Sequence, residues 1–329
     1  MKKRVLSGMQ ASGRLHLGNL VGALANWVKL QDQYECFYFV ADWHALTSGY
    51  ADPGVIKDSA MDLLVNFMSA GLDPQKSTVF IQSMVPEHTE LHLILSMITP
   101  LGWLERVPTY KEKREEIKEK DLSTYGFLGY PVLQSADILV YNANYVPVGV
   151  DQLPHLEITR EIARRFNSLY NTEFLTEPEG LLTEFPKVPG VDGRKMSKSY
   201  GNAIYLSDPP NVAEEKIRTM MTDPARKRRT DVGNPEICPV YHLHKIFSSK
   251  DEQDWVIKGC TTAGIGCIEC KKALFKNMKA VLEPIWQKRE ELLKNPSALL
   301  EMAREGSRKA STAARETLAG VKDALGWIS

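Results

Sequence analysis

Six consecutive residues, Cys36 to Ala41, are all apolar or aromatic. A strand with that pattern is buried on both faces, which suits a parallel sheet covered by helices and not an antiparallel sheet with one wet face. Its neighbours agree. Arg4 to Ser7 reads as a short strand, and from about Gly18 the residues Leu17, Leu20, Val21, Leu24, Trp27 and Val28 recur with helical spacing. Ser59 to Ala70 reads as helix, Thr78 to Gln82 as strand, and Ile138 to Val148 as further strand split by Asn142-Ala143-Asn144. Alternating strands and helices imply right-handed crossovers and a parallel sheet, so the expected class is α/β.

A chain of 329 residues predicts about two domains. Between Glu173 and Gly193 stand Pro178, Gly180, Pro186, Pro189, Gly190 and Gly193, a density that predicts a linker or mobile loop. From about Asn211 the pattern is helical to the end. Lys111 to Lys120 is a dense mixed-charge run whose default reading is a solvated helix face. The 41 basic and 41 acidic residues cancel, so any nucleic-acid contact must come from local patches. No apolar run approaches the roughly 20 residues that span a bilayer. Met1-Lys2-Lys3-Arg4 is followed by no secretory apolar stretch, so a cytoplasmic protein is expected. Five cysteines in such a chain argue for thiols or for metal or cluster ligands, not disulfides.

Two short words carry the chemistry. In Gln10-Ala11-Ser12-Gly13-Arg14-Leu15-His16-Leu17-Gly18-Asn19, Ser12-Gly13 makes a turn after the first strand, and Gly18 opens a helix with no side chain in the way of a ligand. The unpaired N–H groups and partial positive charge of a helix N-terminus bind phosphate. His16 and Asn19 add hydrogen-bonding groups. Alone, this word is as compatible with a glycine-containing surface turn. Much later, Gly193-Arg194 leads into Lys195-Met196-Ser197-Lys198-Ser199. Two lysines three apart on a loop can both reach one polyphosphate. Such charge stabilisation supplies most of the rate in displacement at phosphorus. Together the words read as two halves of one ATP site.

Cys238, Cys260, Cys267 and Cys270 fall in the pattern C-x21-C-x6-C-x2-C. Four thiolates can hold either a [4Fe–4S] cluster or a tetrahedral Zn²⁺, and the spacing does not choose. Cys36 lies elsewhere, in an apolar strand, and reads as core. His242 and His244 lie close by and could serve as substitute ligands, but surface or tRNA-facing roles are expected of them. Arg226-Lys227-Arg228-Arg229, just before this region, offers four adjacent cations to phosphates. A solvated basic loop is the plainer alternative.

With these motifs in hand, the chain resembles a class I aminoacyl-tRNA synthetase, whose two marks are HLGN-type and KMSKS words. The segments 7–13, 42–47 and 146–152, with His155, Glu157, Thr159 and Arg160, resemble the bacterial tryptophanyl-tRNA synthetases over residues 1 to about 206. The asparagine at 19, in place of the commoner histidine, is also found in that family. The resemblance implies a Rossmann-like catalytic domain over 1–190, the lysine loop at 191–204, a helical anticodon-recognition domain over 205–285 and C-terminal helices over 286–329. It implies His16, Asn19, Lys195 and Lys198 as catalytic groups. ATP would meet Gln10, Ser12, Gly18, Asn19, Lys113, Gly149, Asp151, Gln152, Lys195, Met196, Ser197, Lys198 and Ser199. Tryptophan would meet His44, Tyr130, Gln134, Asp137, Val148 and Gln152, with Asp137 accepting the indole N–H. Leu6 stands where the family carries an aromatic. Further implications are Mg²⁺ with ATP, tRNA(Trp) as partner, a homodimer, and a [4Fe–4S] cluster on the four cysteines, with zinc as the alternative. The rivals are a tyrosyl enzyme, a non-catalytic iron–sulfur tRNA-binding protein of the same fold, and a small nucleotidyltransferase.

Overall fold

The computed structural model describes residues 2–107, 122–149, 152–182 and 187–327. Five strands, β1 (Arg4–Gln10), β2 (Glu35–Ala41), β3 (Ser77–Ile81), β4 (Tyr145–Val148) and β5 (Glu179–Leu182), form one sheet in the order β3-β2-β1-β4-β5. Every pairing is parallel. The chain builds outward from β1 in one direction and then in the other, which leaves a crevice at the carboxyl ends of β1 and β4.

Both faces are covered, as the apolar run of β2 requires. On one face lies the helix over 17–30, with Leu17, Leu20, Leu24 and Trp27 buried. Trp27 stacks on Tyr38 at 4.7 Å, and the Tyr38 hydroxyl donates to the Trp27 carbonyl at 3.1 Å. The middle of this helix, Leu20–Leu24, is a π turn. Such turns are rare and recur at functional sites; this one sets Gly22 and Ala23 against the crevice. On the other face Phe37 stacks on Tyr141 at 4.5 Å, beneath the helices Tyr130–Leu139 and Leu153–Leu169.

Two expectations are corrected. Residues 138–139 belong to the Tyr130–Leu139 helix, and the strand is confined to Tyr145–Val148. That helix buries almost its whole circumference, so its sequence lacks the polar stripe that separates a helix from a buried strand. The stretch 173–193 is not merely a linker, since β5 lies within it, paired to β4 from Tyr145↔Glu179 to Val148↔Leu182. Asn167 anchors its approach by hydrogen bonds to both the N–H and the C=O of Leu175, at 3.1 and 2.8 Å.

Beyond residue 209 the chain is helical: Pro210–Thr219, Pro239–Phe247, Lys250–Thr261, Cys267–Leu293 and Pro296–Ala324. Arg289 of the fourth of these pairs with Asp62 and donates to Asn66 at 3.0 Å, docking it on the Pro53–Ser69 helix. The last helix returns to the sheet. A Cβ on Gly306 would lie 1.9 Å from the Val79 carbonyl oxygen, so only glycine admits this close approach. Glu87, itself buried, accepts from Ser311 at 2.7 Å and Arg315 at 2.8 Å. Among the described residues no helix is long and apolar enough to cross a membrane.

Candidate active site

The first turn and the distant lysine loop are joined edge to edge. His16 bridges Tyr205 in antiparallel sense; the Leu17 N–H donates to the Ile204 carbonyl at 3.0 Å, and the Leu206 N–H to the Leu15 carbonyl at 2.9 Å. The loop's other end is pinned where Met196 N–H donates to the Val188 carbonyl at 2.9 Å. Lys198 Nζ donates to the carbonyls of Gly13 and Ser12 at 3.2 and 3.4 Å. Arg14 completes the splice. It bonds Ser207 and the buried Asp208, each at 2.7 Å, and lies 4.2 Å over the Tyr205 ring.

Above this splice opens a cavity of about 1550 Å³. Single small-molecule sites run to roughly 300–1,000 Å³, so this one has room for two reactants. Its wall brings together Gln10, His16, Gly18 and Asn19 from the first turn and helix, and His44 from the segment after β2. One helix adds Tyr130, Gln134 and Asp137; the end of β4 adds Val148, Gly149 and Gln152; the loop adds Lys195 and Met196. Leu6, 2% exposed, forms part of the same wall. Ser12, Ser197, Lys198 and Ser199 are outside the wall, and Lys113 and Asp151 lie outside the described residues.

Electrostatics differ sharply across the cavity lining. At the loop end, burial first, and then the Lys198 and Lys195 cations, lower the His16 imidazole to about 4. The ring is therefore neutral at physiological pH and acts through hydrogen bonds, not charge. Its Nδ1 is buried without a partner among the described residues. Gly18 serves this ring directly, because a Cβ there would lie 2.9 Å from two of its atoms. Burial lowers Lys198 as well, opposed by Asp62.

On the helix Tyr130–Leu139 Asp137 is 1% exposed. Its Oδ1 accepts from Gln82 Nε2 at 2.7 Å and from His88 Nδ1 at 2.6 Å, and its Oδ2 from His44 Nε2 at 2.8 Å. Burial pushes this carboxyl up, but the hydrogen bonds and charges of His44 and His88 outweigh it and hold the group down at about 2. Asp137 is thus an ionised acceptor in a dry wall. The Tyr130 hydroxyl is engaged with His155 at 3.0 Å, and Gln10 donates to the His44 carbonyl at 2.9 Å.

Sequence reasoning missed Gln82, His88 and Asn202. Asn202 is 2% exposed and organises the lysine loop: it accepts from Ser197 N–H at 2.8 Å and donates to Asp192 at 2.7 Å and to the Lys195 carbonyl at 3.2 Å. Gly190 makes room for it, since a Cβ there would lie 2.2 Å from the Asn202 amide. Nothing in the local pattern marks Asn202; its role appears only once the loop is folded back on itself.

A second cavity, about 20 Å³, is walled by Cys238, Cys260, Cys267 and Cys270 together with Arg226. All four cysteines are free thiols. Burial, and then the neighbouring thiols, push Cys270 up to about 12. Among the described residues no three His, Cys, Asp or Glu side chains converge closely enough to hold a single metal ion. Two expectations change here. Arg226 is buried and points inward, donating to the Arg229 and Ile265 carbonyls and lying 3.8 Å from the Cys260 sulfur, so only Lys227, Arg228 and Arg229 of the basic run stay exposed. His244 is fully buried, 3.4 Å from the Cys270 sulfur, and faces no RNA.

Residues 1–283 match the family model described as tRNA synthetases class I (W and Y). The tryptophan–tRNA ligase of Thermotoga maritima is 56% identical over 324 residues, covering 98% of each chain. That of Ralstonia nicotianae is 45% identical over 393 residues, again covering 98% of each. Among solved structures, the tryptophanyl-tRNA synthetase of Campylobacter jejuni, complexed with ADP and tryptophan, superposes with a TM-score of 0.89 at 36% identity, covering 98% of this chain and 99% of that one.

Proposed function

The chain belongs to the class I tRNA synthetases of the tryptophan and tyrosine kind, and we propose that the large cavity is where it joins L-tryptophan to ATP and passes the product to tRNA(Trp). It is a tryptophan–tRNA ligase. The observation that carries the assignment of the site is the antiparallel splice of residues 15–17 to 204–206. It brings His16 and Lys195 into the lining of one cavity that Asp137 also lines.

The reaction follows from that arrangement. ATP, entering as its magnesium complex, lies along the start of the first helix, where Gly18 and the positive end of the helix dipole receive it, the Leu17, Asn19 and Leu20 N–H groups being already bonded to the Ile204 and His16 carbonyls. The tryptophan carboxylate attacks the α-phosphorus and pyrophosphate leaves. Neutral His16 and Asn19 donate hydrogen bonds to the phosphoryl group; Lys195 neutralises the departing pyrophosphate. Lys198, parked on the Ser12 and Gly13 carbonyls, joins when the loop closes. The terminal ribose hydroxyl of the tRNA then attacks the adenylate carbonyl and AMP leaves. Asp137 accepts the indole N–H. Its Oδ1 already has two donors and its Oδ2 one, so a single acceptor site remains for the substrate.

The domain division read from the sequence is carried within this proposal, with helix Cys267–Leu293 running through its last boundary. Exposed Lys227, Arg228 and Arg229 supply cations for tRNA phosphates. Leu93, Met97 and Leu101, exposed by 56, 73 and 62%, form an apolar face suited to a second copy of the chain. The cytoplasm is the place of this work.

The four cysteines fit a [4Fe–4S] cluster better than zinc. The donors are all thiols on one enclosed wall, and Gly233 leaves Cys260 uncrowded, a Cβ there lying 2.6 Å from its sulfur. A tetrahedral zinc with Zn–S of about 2.3 Å needs sulfurs about 3.8 Å apart. Among the described residues no three side chains converge to hold a single ion, which disfavours a one-metal zinc site. When bound, the cluster staples the surrounding helices.

Two measurements test the reading. ATP–pyrophosphate exchange should depend on tryptophan and fail with tyrosine; equal exchange with tyrosine overturns the substrate. Anaerobically purified protein should be brown, with iron and sulfide at about four each per chain. A colourless protein carrying zinc or no metal rejects the cluster.

A further inference from the structure

Behind the Asp137 carboxylate stands a hydrogen-bonded chain that the ligation scheme leaves unused. His88 is fully buried, on the helix Glu87–Ile98. Its Nδ1 lies 2.6 Å from Asp137 Oδ1 and its Nε2 2.8 Å from the Tyr141 hydroxyl. An ionised carboxylate only accepts, so the His88 Nδ1–H donates to it. On the far side of the ring Nε2 faces the Tyr141 hydroxyl. Burial drives the Tyr141 phenol well above its ordinary range, which keeps its proton in place. The chain therefore runs from phenol through imidazole to carboxylate, and each bond polarises the next.

None of the three groups can turn. The His88 ring sits 5.9 Å from each of Phe39 and Phe80, and Tyr141 is fully buried and stacked on Phe37. Gln82, 0% exposed, donates to the same Asp137 oxygen at 2.7 Å. With two donors, Oδ1 is full. The other oxygen holds His44 at 2.8 Å and keeps one lone pair.

We propose that His88, backed by Tyr141, is a positioning residue for amino-acid selection: by saturating Asp137 Oδ1 it leaves one fixed acceptor, on Oδ2, for the indole N–H. The inference rests on the reading that Asp137 receives the indole. Its consequence is visible in pH dependence. The titratable groups around Asp137 are His44 after β2, His88, His92 and Glu87 on the Glu87–Ile98 helix, and Tyr141. In the native protein the carboxylate stays charged far below neutrality, so tryptophan affinity should hold down to the acid limit of folding. Without the His88 donor, Gln82 alone opposes burial on that oxygen, beside His44 on the other. The carboxyl then rises from its native value, and binding weakens at a higher pH than in the native protein.

The test measures tryptophan dissociation constants by calorimetry on the intact protein from pH 5 to 8, with ATP affinity and melting temperature as controls. His88→Leu should weaken tryptophan binding by about 10-fold at pH 7 and more at pH 5, with ATP affinity unchanged. His88→Asn, whose amide overlays Nδ1, should restore most of it. Tyr141→Phe should give a smaller loss with the same pH trend, and it serves if His88→Leu does not fold. Native-like affinity at every pH in a folded His88→Leu or Tyr141→Phe protein, beside a weakened Asp137→Asn, overturns the positioning role alone. Native affinity in Asp137→Asn itself overturns the indole reading beneath it.

Discussion

Asp137→Asn should lower kcat/KM for tryptophan by about 10²–10³-fold and all but abolish rejection of phenylalanine. The size follows from burial. The native carboxylate accepts three hydrogen bonds, two of them from histidines, while 1% exposed. Sites that recognise a polar group this way reject its isostere by roughly 10⁴–10⁵-fold, because the wrong ligand strands the buried partner. Phenylalanine has no N–H and would leave the Asp137 acceptor empty. With asparagine the charge is gone, and the amide nitrogen faces either the donors of Gln82 and His88 or that of His44. The indole bond weakens and phenylalanine no longer strands a charge, so the two substrates converge. Exchange assays with each amino acid give the ratio directly. A variant that loses activity toward both in equal proportion would show that Asp137 serves the fold and not selection.

The chain displays some of this and hides the rest, for physical reasons. Strand β2 is legible because a doubly buried parallel strand must be apolar throughout, and Cys36 to Ala41 is. The same logic fails over 130–139, where a helix buried on all sides also looks apolar throughout. It fails again over 179–182, where an edge strand with exposed Glu179 and Leu182 has no apolar run to show. The site divides likewise. His16 and Lys195 are legible because phosphate chemistry needs compact words. Gln82 and His88 act only through a carboxylate 55 and 49 residues away, and no local spacing encodes such a partnership. Arg226 is misread for the converse reason: a run of four cations does not say which one turns inward toward the thiols.

Lys195→Ala should slow tryptophan-dependent exchange by about 10²–10³-fold while leaving tryptophan affinity near native. Lys195 and Asp137 both line the cavity, Lys195 from the lysine loop and Asp137 from the helix Tyr130–Leu139. In the proposed reaction its ammonium meets negative charge that develops on the leaving pyrophosphate, so its loss should fall on the transition state and not on amino-acid binding. The lysine's neighbours sharpen the expectation. His16 is held neutral by burial and by the two lysines, so it cannot replace the missing cation. Lys198 is tied to the Ser12 and Gly13 carbonyls and must leave them to help. Lys195→Arg keeps the charge on a different reach and should recover part of the rate. The signature is therefore a fall in kcat with an unchanged tryptophan dissociation constant. A variant that instead binds tryptophan poorly at native kcat would mean that the loop builds the amino-acid pocket, and that the leaving group is stabilised by other residues.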